Sequence, residues 1–309
     1  MLVAARSERY PERVQPAREI TVTDARHHSP GPCLVGEPLA PGSILGGRYR
    51  IKRFVAAGGM GEVYEADDQL LGDPVAVKLL RDDLIKKPGA QARFADEIRL
   101  ARRVTHANVC RVFDVGTDGE RVFYTMELHP GQTLKAYLAT VGRLTIGQAR
   151  PIVKGILAGI GAAHAADVVH ADLKPSNVLL GANDRVVVTD FGLALPCCAT
   201  LGCTCEMPHL VGTPAYMAPE QVTGGTVYQQ TDLFSFGVIV FELLTGDLPW
   251  HGATAHDLAH ARLTGETPSM RKLRPEIDAA WDEVVRSCLR VEQGERPNSA
   301  ASVAEALRL

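Results

Sequence analysis

Between residues 48 and 128, apolar and polar positions alternate in short runs. RYRIKRFVAAGGMGEVYEADD (48–68) reads as two strands about a glycine turn, and DPVAVKLLRD (73–82) as a third. ARFADEIRLARRVTH (92–106) breaks the alternation, because Phe94, Ile98, Ala101 and Val104 recur at helical spacing. VCRVFDVG (109–116) and RVFYTMEL (121–128) return to strands, and Gly131 marks the break after them. Beyond it the pattern predicts helices at 133–141, 147–165, 230–245, 254–263, 278–289 and 298–308, with a strand pair around 178–189. A strand-rich first part with one main helix, followed by a helix-rich second part, predicts an α+β protein. It would have two lobes, a small N-lobe at about 45–128 and a larger C-lobe at about 129–309, with a cleft between them. No internal repeat is visible.

Residues 1–44 carry Pro and Arg without period (PERVQPAR, HHSPGPC), as a flexible N-terminal extension does. His27, His28 and Cys33 are metal-ligand types, but their spacing matches no closed zinc pattern and a solvated tail explains them better. With 309 residues, 46% hydrophobic, the chain can bury the core of one large domain or two coupled lobes. A net charge of −3 argues against a nucleic-acid partner or a strongly membrane-seeking surface. The longest apolar stretch, 234–244, is interrupted by Ser235, Gly237 and Glu242 and falls short of the ~18 residues of a membrane span. The N-terminal MLVAARSERYPERV lacks a signal peptide's apolar core. The expectation is therefore a cytoplasmic protein whose seven cysteines stay reduced.

The glycine turn runs Val55-Ala56-Ala57-Gly58-Gly59-Met60-Gly61-Glu62-Val63. Such a turn lets backbone N–H groups close over a polyphosphate, although a plain hairpin turn explains it equally well. Lys78 ends the next apolar strand, where burial demands an anion. Glu97 on the predicted helix and phosphate oxygens are the candidates, and a surface lysine is the plain alternative. The stretch VVHADLKPSN (168–177) sets a carboxylate, an ammonium and an amide in a loop kept irregular by Pro175. There Asp172 is placed to accept a hydroxyl proton, Lys174 to neutralise a moving phosphoryl group, and Asn177 to offer an oxygen to a hard cation. Val186-Val187-Val188-Thr189 runs into Asp190-Phe191-Gly192, so a carboxylate ends a very apolar strand and needs a cation such as Mg²⁺. A turn Asp explains either site singly, but not all of them in this order.

Together these stretches resemble the protein kinase family, in particular the bacterial serine/threonine kinases of eukaryotic-like type. VAVK (75–78), HADLKPSN (170–177), DFG (190–192) and APE (218–220) stand in the family's order, and the resemblance covers roughly residues 46–309. It implies a bilobal kinase domain over 45–309 that transfers the γ-phosphoryl of ATP to Ser/Thr hydroxyls of proteins, its own chain included. Lys78, held by Glu97, would contact the α- and β-phosphates, and Asp172 would orient and deprotonate the substrate hydroxyl. Asn177 and Asp190 would hold Mg²⁺, with Mn²⁺ as a substitute. Val55, Val63, Ala76 and Leu179 would sandwich the adenine, with the 55–63 loop over the phosphates. Met126 sits at the gatekeeper position, and the backbone of Glu127 and Leu128 would pair with the adenine edge. Lys174 and Thr213 are what Ser/Thr rather than tyrosine kinases carry. Asp232 in TDLFSFG would hold the catalytic-loop backbone, and Arg296 would pair with Glu220. A nucleotide-binding pseudokinase is disfavoured because all five polar positions are intact, and a small-molecule kinase because it generally lacks the APE segment.

Three departures from the family pattern matter. Ala56 replaces the first loop glycine, which a negative φ tolerates. Ala101 is smaller than the usual residue under the helix of Glu97, which favours an activating partner on the N-lobe or the extension. Ala171 stands where many relatives have an Arg that pairs with a phosphate on the activation loop. The segment PCCATLGCTC (196–205) also concentrates Cys197, Cys198, Cys203 and Cys205. It reads either as a redox-switched or metal-clipped loop, or as inert thiols in a tolerant loop; its spacing is not a standard zinc pattern. With the Arg absent, activity should depend little on activation-loop phosphorylation. In an alanine scan of Thr200, Thr204 and Thr213, kinase assays should find Thr200→Ala and Thr204→Ala active; silence of either would count against this.

Overall fold

The computed structural model describes residues 38–86, 90–191, 203–204 and 214–309. Strands β1 (Ile44–Leu45), β2 (Tyr49–Gly58), β3 (Gly61–Asp68), β4 (Pro74–Leu80), β5 (Val112–Asp118) and β6 (Arg121–Glu127) form one antiparallel sheet. Its order is β1-β2-β3-β4-β6-β5. A short helix α1 (Asp82–Ile85) and the longer α2 (Ala90–Ala101) fall between β4 and β5. The alternation of each strand sorts its side chains onto two faces. Leu45, Tyr49, Ile51, Tyr64, Val77 and Phe123 pack on one, while Ala76, Leu80, Tyr124 and Met126 pack with Phe94 and Ile98 of α2 on the other. The residues just before β1 are tied to the sheet. The Leu39 N–H donates to the Tyr64 hydroxyl at 3.1 Å, and the Gly42 N–H to the Ile51 carbonyl at 2.7 Å.

The second lobe is built on α3 (Leu134–Val141), α4 (Ile146–His164), α5 (Pro219–Thr223), α6 (Gln229–Thr245), α7 (Ala255–Thr264), α8 (Met270–Leu273), α9 (Ala279–Cys288) and α10 (Ala300–Ala306). A three-stranded sheet of β7 (Gln132–Thr133), β8 (Val178–Leu180) and β9 (Val186–Val188) lies among them, and β10 (Cys203–Thr204) pairs with β11 (Thr226–Val227). All six helices expected from periodicity are present; the short α1, α5 and α8 carry too few residues to show a period. Helix α6 is apolar nearly all round, so it lies in the core rather than on the surface. Helix α4 starts with a capping box: the Gln148 N–H donates to Thr145 Oγ1 and the Thr145 N–H to Gln148 Oε1. Among the described residues no helix is long and apolar enough to cross a membrane.

A buried ion pair ties the end of this lobe to its middle. The Arg296 guanidinium, fully buried, meets the Glu220 carboxylate at the start of α5 with two parallel bonds of 2.8 Å. Its remaining donors reach the carbonyls of Arg290, Gln230 and Val291, and its plane lies 4.9 Å from the Phe234 ring. Removing one partner strands a buried charge. Arg296→Ala and Glu220→Ala should each lower stability in urea unfolding by about 3–5 kcal/mol, and the double variant by much less than the sum.

Candidate active site

The loop at 170–177 hangs from one carboxylate. Asp232, fully buried in the first turn of α6, accepts the His170 N–H on Oδ2 and the Ala171 N–H on Oδ1, each at 2.8 Å. His164, at the end of α4, donates from Nε2 to Oδ2 at 2.7 Å. Ala171 has φ 60°, a left-handed conformation that costs an alanine about 1–2 kcal/mol. Its N–H is held by Asp232, its carbonyl accepts from Gln221 Nε2 at 2.7 Å, and its methyl packs with Val169 and Val227. An apolar cluster thus surrounds the one side-chain carbon of Ala171. His170 Nδ1 accepts the Asp172 N–H at 3.2 Å, so the proton is on Nε2, which donates to the Thr189 carbonyl at 2.8 Å. The turn Pro175–Asn177 then delivers Asn177, whose carbonyl accepts the Thr189 N–H at 2.9 Å. These two links lock the loop to the strand that carries Asp190.

Within the loop, Lys174 Nζ donates to Asp172 Oδ2 at 2.6 Å. Asn177 Nδ2 donates to the Asp172 carbonyl at 2.9 Å and to Oδ2 at 3.2 Å. Across the cleft, Lys78 on β4 reaches Asp190 Oδ1 at 2.8 Å. The Tyr124 hydroxyl on β6 donates to the same oxygen, also at 2.8 Å. Burial raises the Asp190 pKa, but the Lys78 charge and the hydrogen bonds from Lys78 and Tyr124 outweigh it and hold the carboxyl below its usual range. Asp190 has φ 62°, so the backbone turns sharply there to aim the carboxylate into the cleft.

Strand register gathers the expected nucleotide-facing side chains. Val63 pairs with Lys78, and Ala76 with Met126. Val63, Ala76, Met126, Leu128 and Leu179 belong to one cluster, while Val55, 43% exposed, stands outside it on β2. Ala56 pairs with Val63 as a strand residue and keeps a negative φ. Of the loop glycines, Gly61 is sterically bound: at φ 154° a Cβ would lie 1.9 Å from the Leu79 carbonyl oxygen. Gly58 and Gly59 face open space, which is what a backbone closing over a ligand needs. The side chain of Glu62 lies apart from that of Val63. Strand alternation puts it with Tyr64, whose hydroxyl donates to its carboxylate, on the sheet face opposite Val63. The side chain of Glu97 and residues Thr213, Cys197, Cys198 and Cys205 lie outside the described residues, as does the side chain of Cys203.

The protein kinase domain family matches residues 49–307. This chain belongs to that family. Serine/threonine-protein kinase PrkC of Bacillus subtilis is 34% identical over 79% of this chain, and the probable serine/threonine-protein kinase PknB of Lactococcus lactis 36% identical over 79%. The chain spans only 37% and 39% of the length of these two relatives. Among solved structures, the Mycobacterium tuberculosis PknI kinase domain superposes with a TM-score of 0.71 at 23% identity, covering 88% of this chain and 99% of that one. It has the same bilobal fold.

Whether the kinase domain can hold a divalent cation is testable on its donor set. Asp190 brings a carboxylate and Asn177 an amide oxygen, both hard oxygen ligands. Asn177 turns its amide N–H groups to Asp172, which leaves its oxygen facing elsewhere, with only Ser176 Oγ at a distant 3.5 Å. Among the described residues no cluster of three His, Cys, Asp or Glu forms a closed cage. Two oxygen ligands without a cage suit Mg²⁺ shared with phosphates and water, so the residues fit the metal.

Two residues of this site escaped sequence reasoning. Tyr124 looked like one more apolar strand position, and nothing local marks its hydroxyl. Arg262 on α7 is 1% exposed and donates to the carbonyls of Pro214 and Ala215 at 2.9 Å and to that of Met217, bracing the segment before APE. Its guanidinium lies 5.7 Å from both the Phe234 and the Trp250 ring, and burial pulls its pKa down to about 10. The carboxyl of Asp232 also sits below its usual range: burial raises its pKa, but the His164 hydrogen bond and charge and the His170 N–H outweigh that. A depressed folded pKa stabilises above the unfolded value of about 3.9 and is lost as pH falls through the folded one. Asp232→Asn should therefore lower the thermal midpoint at pH 7, by about 3 kcal/mol in stability, and the gap to the parent should close as the pH falls below about 4.

Proposed function

We propose that this kinase domain transfers the γ-phosphoryl group of Mg-ATP to serine or threonine hydroxyls of proteins, its own chain among them. The observation that carries the reading is the joined pair of segments: the bonds His170–Thr189 and Asn177–Thr189 fix Asp172, Lys174 and Asn177 relative to Asp190, and Asp190 meets Lys78 across the cleft. The relatives' names point to the same substrate class.

Each side chain has a task that its surroundings support. Asp172 Oδ2 is engaged by Lys174 and Asn177, and among the described residues no donor reaches Oδ1. Oδ1 is then the oxygen that orients the substrate hydroxyl and takes its proton. Lys174 sits beside it to neutralise charge on the moving phosphoryl group. Lys78 holds phosphate oxygens, the role that also brings Glu97 into the reading, and Thr213 marks the serine/threonine substrate class. Asn177 and Asp190 hold the divalent cation, Mg²⁺ in preference to Mn²⁺; bound there, it would neutralise the phosphate oxygens as charge shifts. At the adenine edge the Glu127 N–H is already spent on the Arg111 carbonyl at 2.9 Å, and its side chain turns to Arg185. Recognition there falls to the Glu127 carbonyl and the backbone of Leu128, with Val63, Ala76 and Leu179 about the ring.

The test is intact-mass analysis after incubation with Mg-ATP, beside Asp172→Asn. The parent should gain ~80 Da increments that map to Ser or Thr, and the variant should be slower by about 10²–10⁴-fold. A parent that gains no phosphate on itself or on a generic protein substrate, yet is stabilised by Mg-ATP, would mean a nucleotide-binding module instead of an enzyme.

A further inference from the structure

The Asp190 carboxylate has a second donor that the phosphoryl-transfer reading leaves unused. Tyr124 is central in the sheet, fully buried, paired in register with Lys78 and flanked by the Phe94 ring at 6.0 Å. Its ring also lies 5.9 Å from Lys78 Nζ. A phenol fixed this way has one direction in which to point its hydroxyl, and it points at Asp190 Oδ1. A phenol is protonated at neutral pH, so the hydroxyl is a donor to that carboxylate. Both donors to Asp190 land on Oδ1, and among the described residues none reaches Oδ2.

We infer that Tyr124 is a positioning residue for metal binding: it pins Oδ1 of Asp190 so that Oδ2 is the oxygen turned to the cation. This rests on the reading of Asp190 as a metal-holding residue. A carboxylate rotates easily about its last torsion, and a single anchor on one oxygen restricts that rotation. Lys78 is a poor permanent anchor, because its ammonium is also the group that phosphate oxygens attract. Tyr124 carries no charge and has no such competing task. When Lys78 turns toward phosphate, the phenol keeps the carboxylate in place. Partners that orient a ligating carboxylate typically govern metal affinity by about 10- to 100-fold.

The experiment uses the whole chain and Mn²⁺ as the probe, with free Mn²⁺ followed by its paramagnetic resonance signal during titration in the presence of ADP. Tyr124→Phe removes the hydroxyl and keeps the ring. Its Mn²⁺ affinity should fall about tenfold, while ADP affinity without metal and the thermal midpoint without ligand stay near the parent's. In turnover assays the half-saturating Mg²⁺ concentration should rise and the KM for protein substrate should not. Combined with Asp190→Asn, Tyr124→Phe should add no further loss of Mn²⁺ binding. Equal or tighter Mn²⁺ binding by Tyr124→Phe would overturn the inference, and so would a large drop in its unliganded midpoint, since the hydroxyl would then hold the fold and not the carboxylate. A parent that binds no Mn²⁺ with ADP would instead overturn the metal role of Asp190 itself, and the inference with it.

Discussion

One buried carboxylate organises the catalytic half of this molecule. Asp232 has no access to water, and its two oxygens are filled by two consecutive backbone N–H groups and one imidazole. A charge in that position is tolerated because three donors compensate for the lost water. In return it fixes the backbone of residues 170 and 171, and everything downstream inherits that geometry. His170 then spans to Thr189, Asn177 spans to Thr189 as well, and Asp190 follows in the next step of the chain. The core helix α6 thus sets the positions of Asp172 and Asp190 through one carboxylate, one imidazole and one backbone hydrogen bond.

The two lobes meet in a different kind of contact. Lys78 and Tyr124 come from adjacent strands of the first lobe, and Asp190 from the second. Here the interaction is charge across a cleft, reinforced by a neutral donor, so it can rearrange when a ligand competes for the ammonium. Rigid support beneath the loop and an adjustable contact across the cleft are complementary properties. Phosphoryl transfer needs fixed reacting groups and a nucleotide pocket that opens and closes.

Much of this was legible in the sequence, and the limits have physical causes. The long helices showed because their periodic apolar stripes span several turns, and Asp172, Asn177, Asp190 and Lys78 showed because polar groups beside very apolar strands are costly unless they have work to do. Asp232 and Arg296 were assigned their partners correctly through the family resemblance. The side-chain direction of Glu62 was not legible because a loop reading ignores the alternation that carries β3 through to Gly61. Tyr124 and Arg262 were missed because their partners lie 66 and 45–48 residues away in the chain, and a phenol in an apolar run or an arginine on a polar-looking helix gives no local sign of its contacts.

The conformation of Ala171 bears on what an alanine contributes at this position. A left-handed backbone penalises any side chain with a Cβ to a similar degree, so alanine relieves no more of that strain than arginine would. Relief of strain is therefore no reason for the exchange; only glycine would bring that. What alanine brings is a methyl that packs with Val169 and Val227, while its N–H is held by Asp232 and its carbonyl by Gln221. The strained residue is therefore tied to the second lobe on three sides, and a larger side chain at this position would have to find room beside both valines as well.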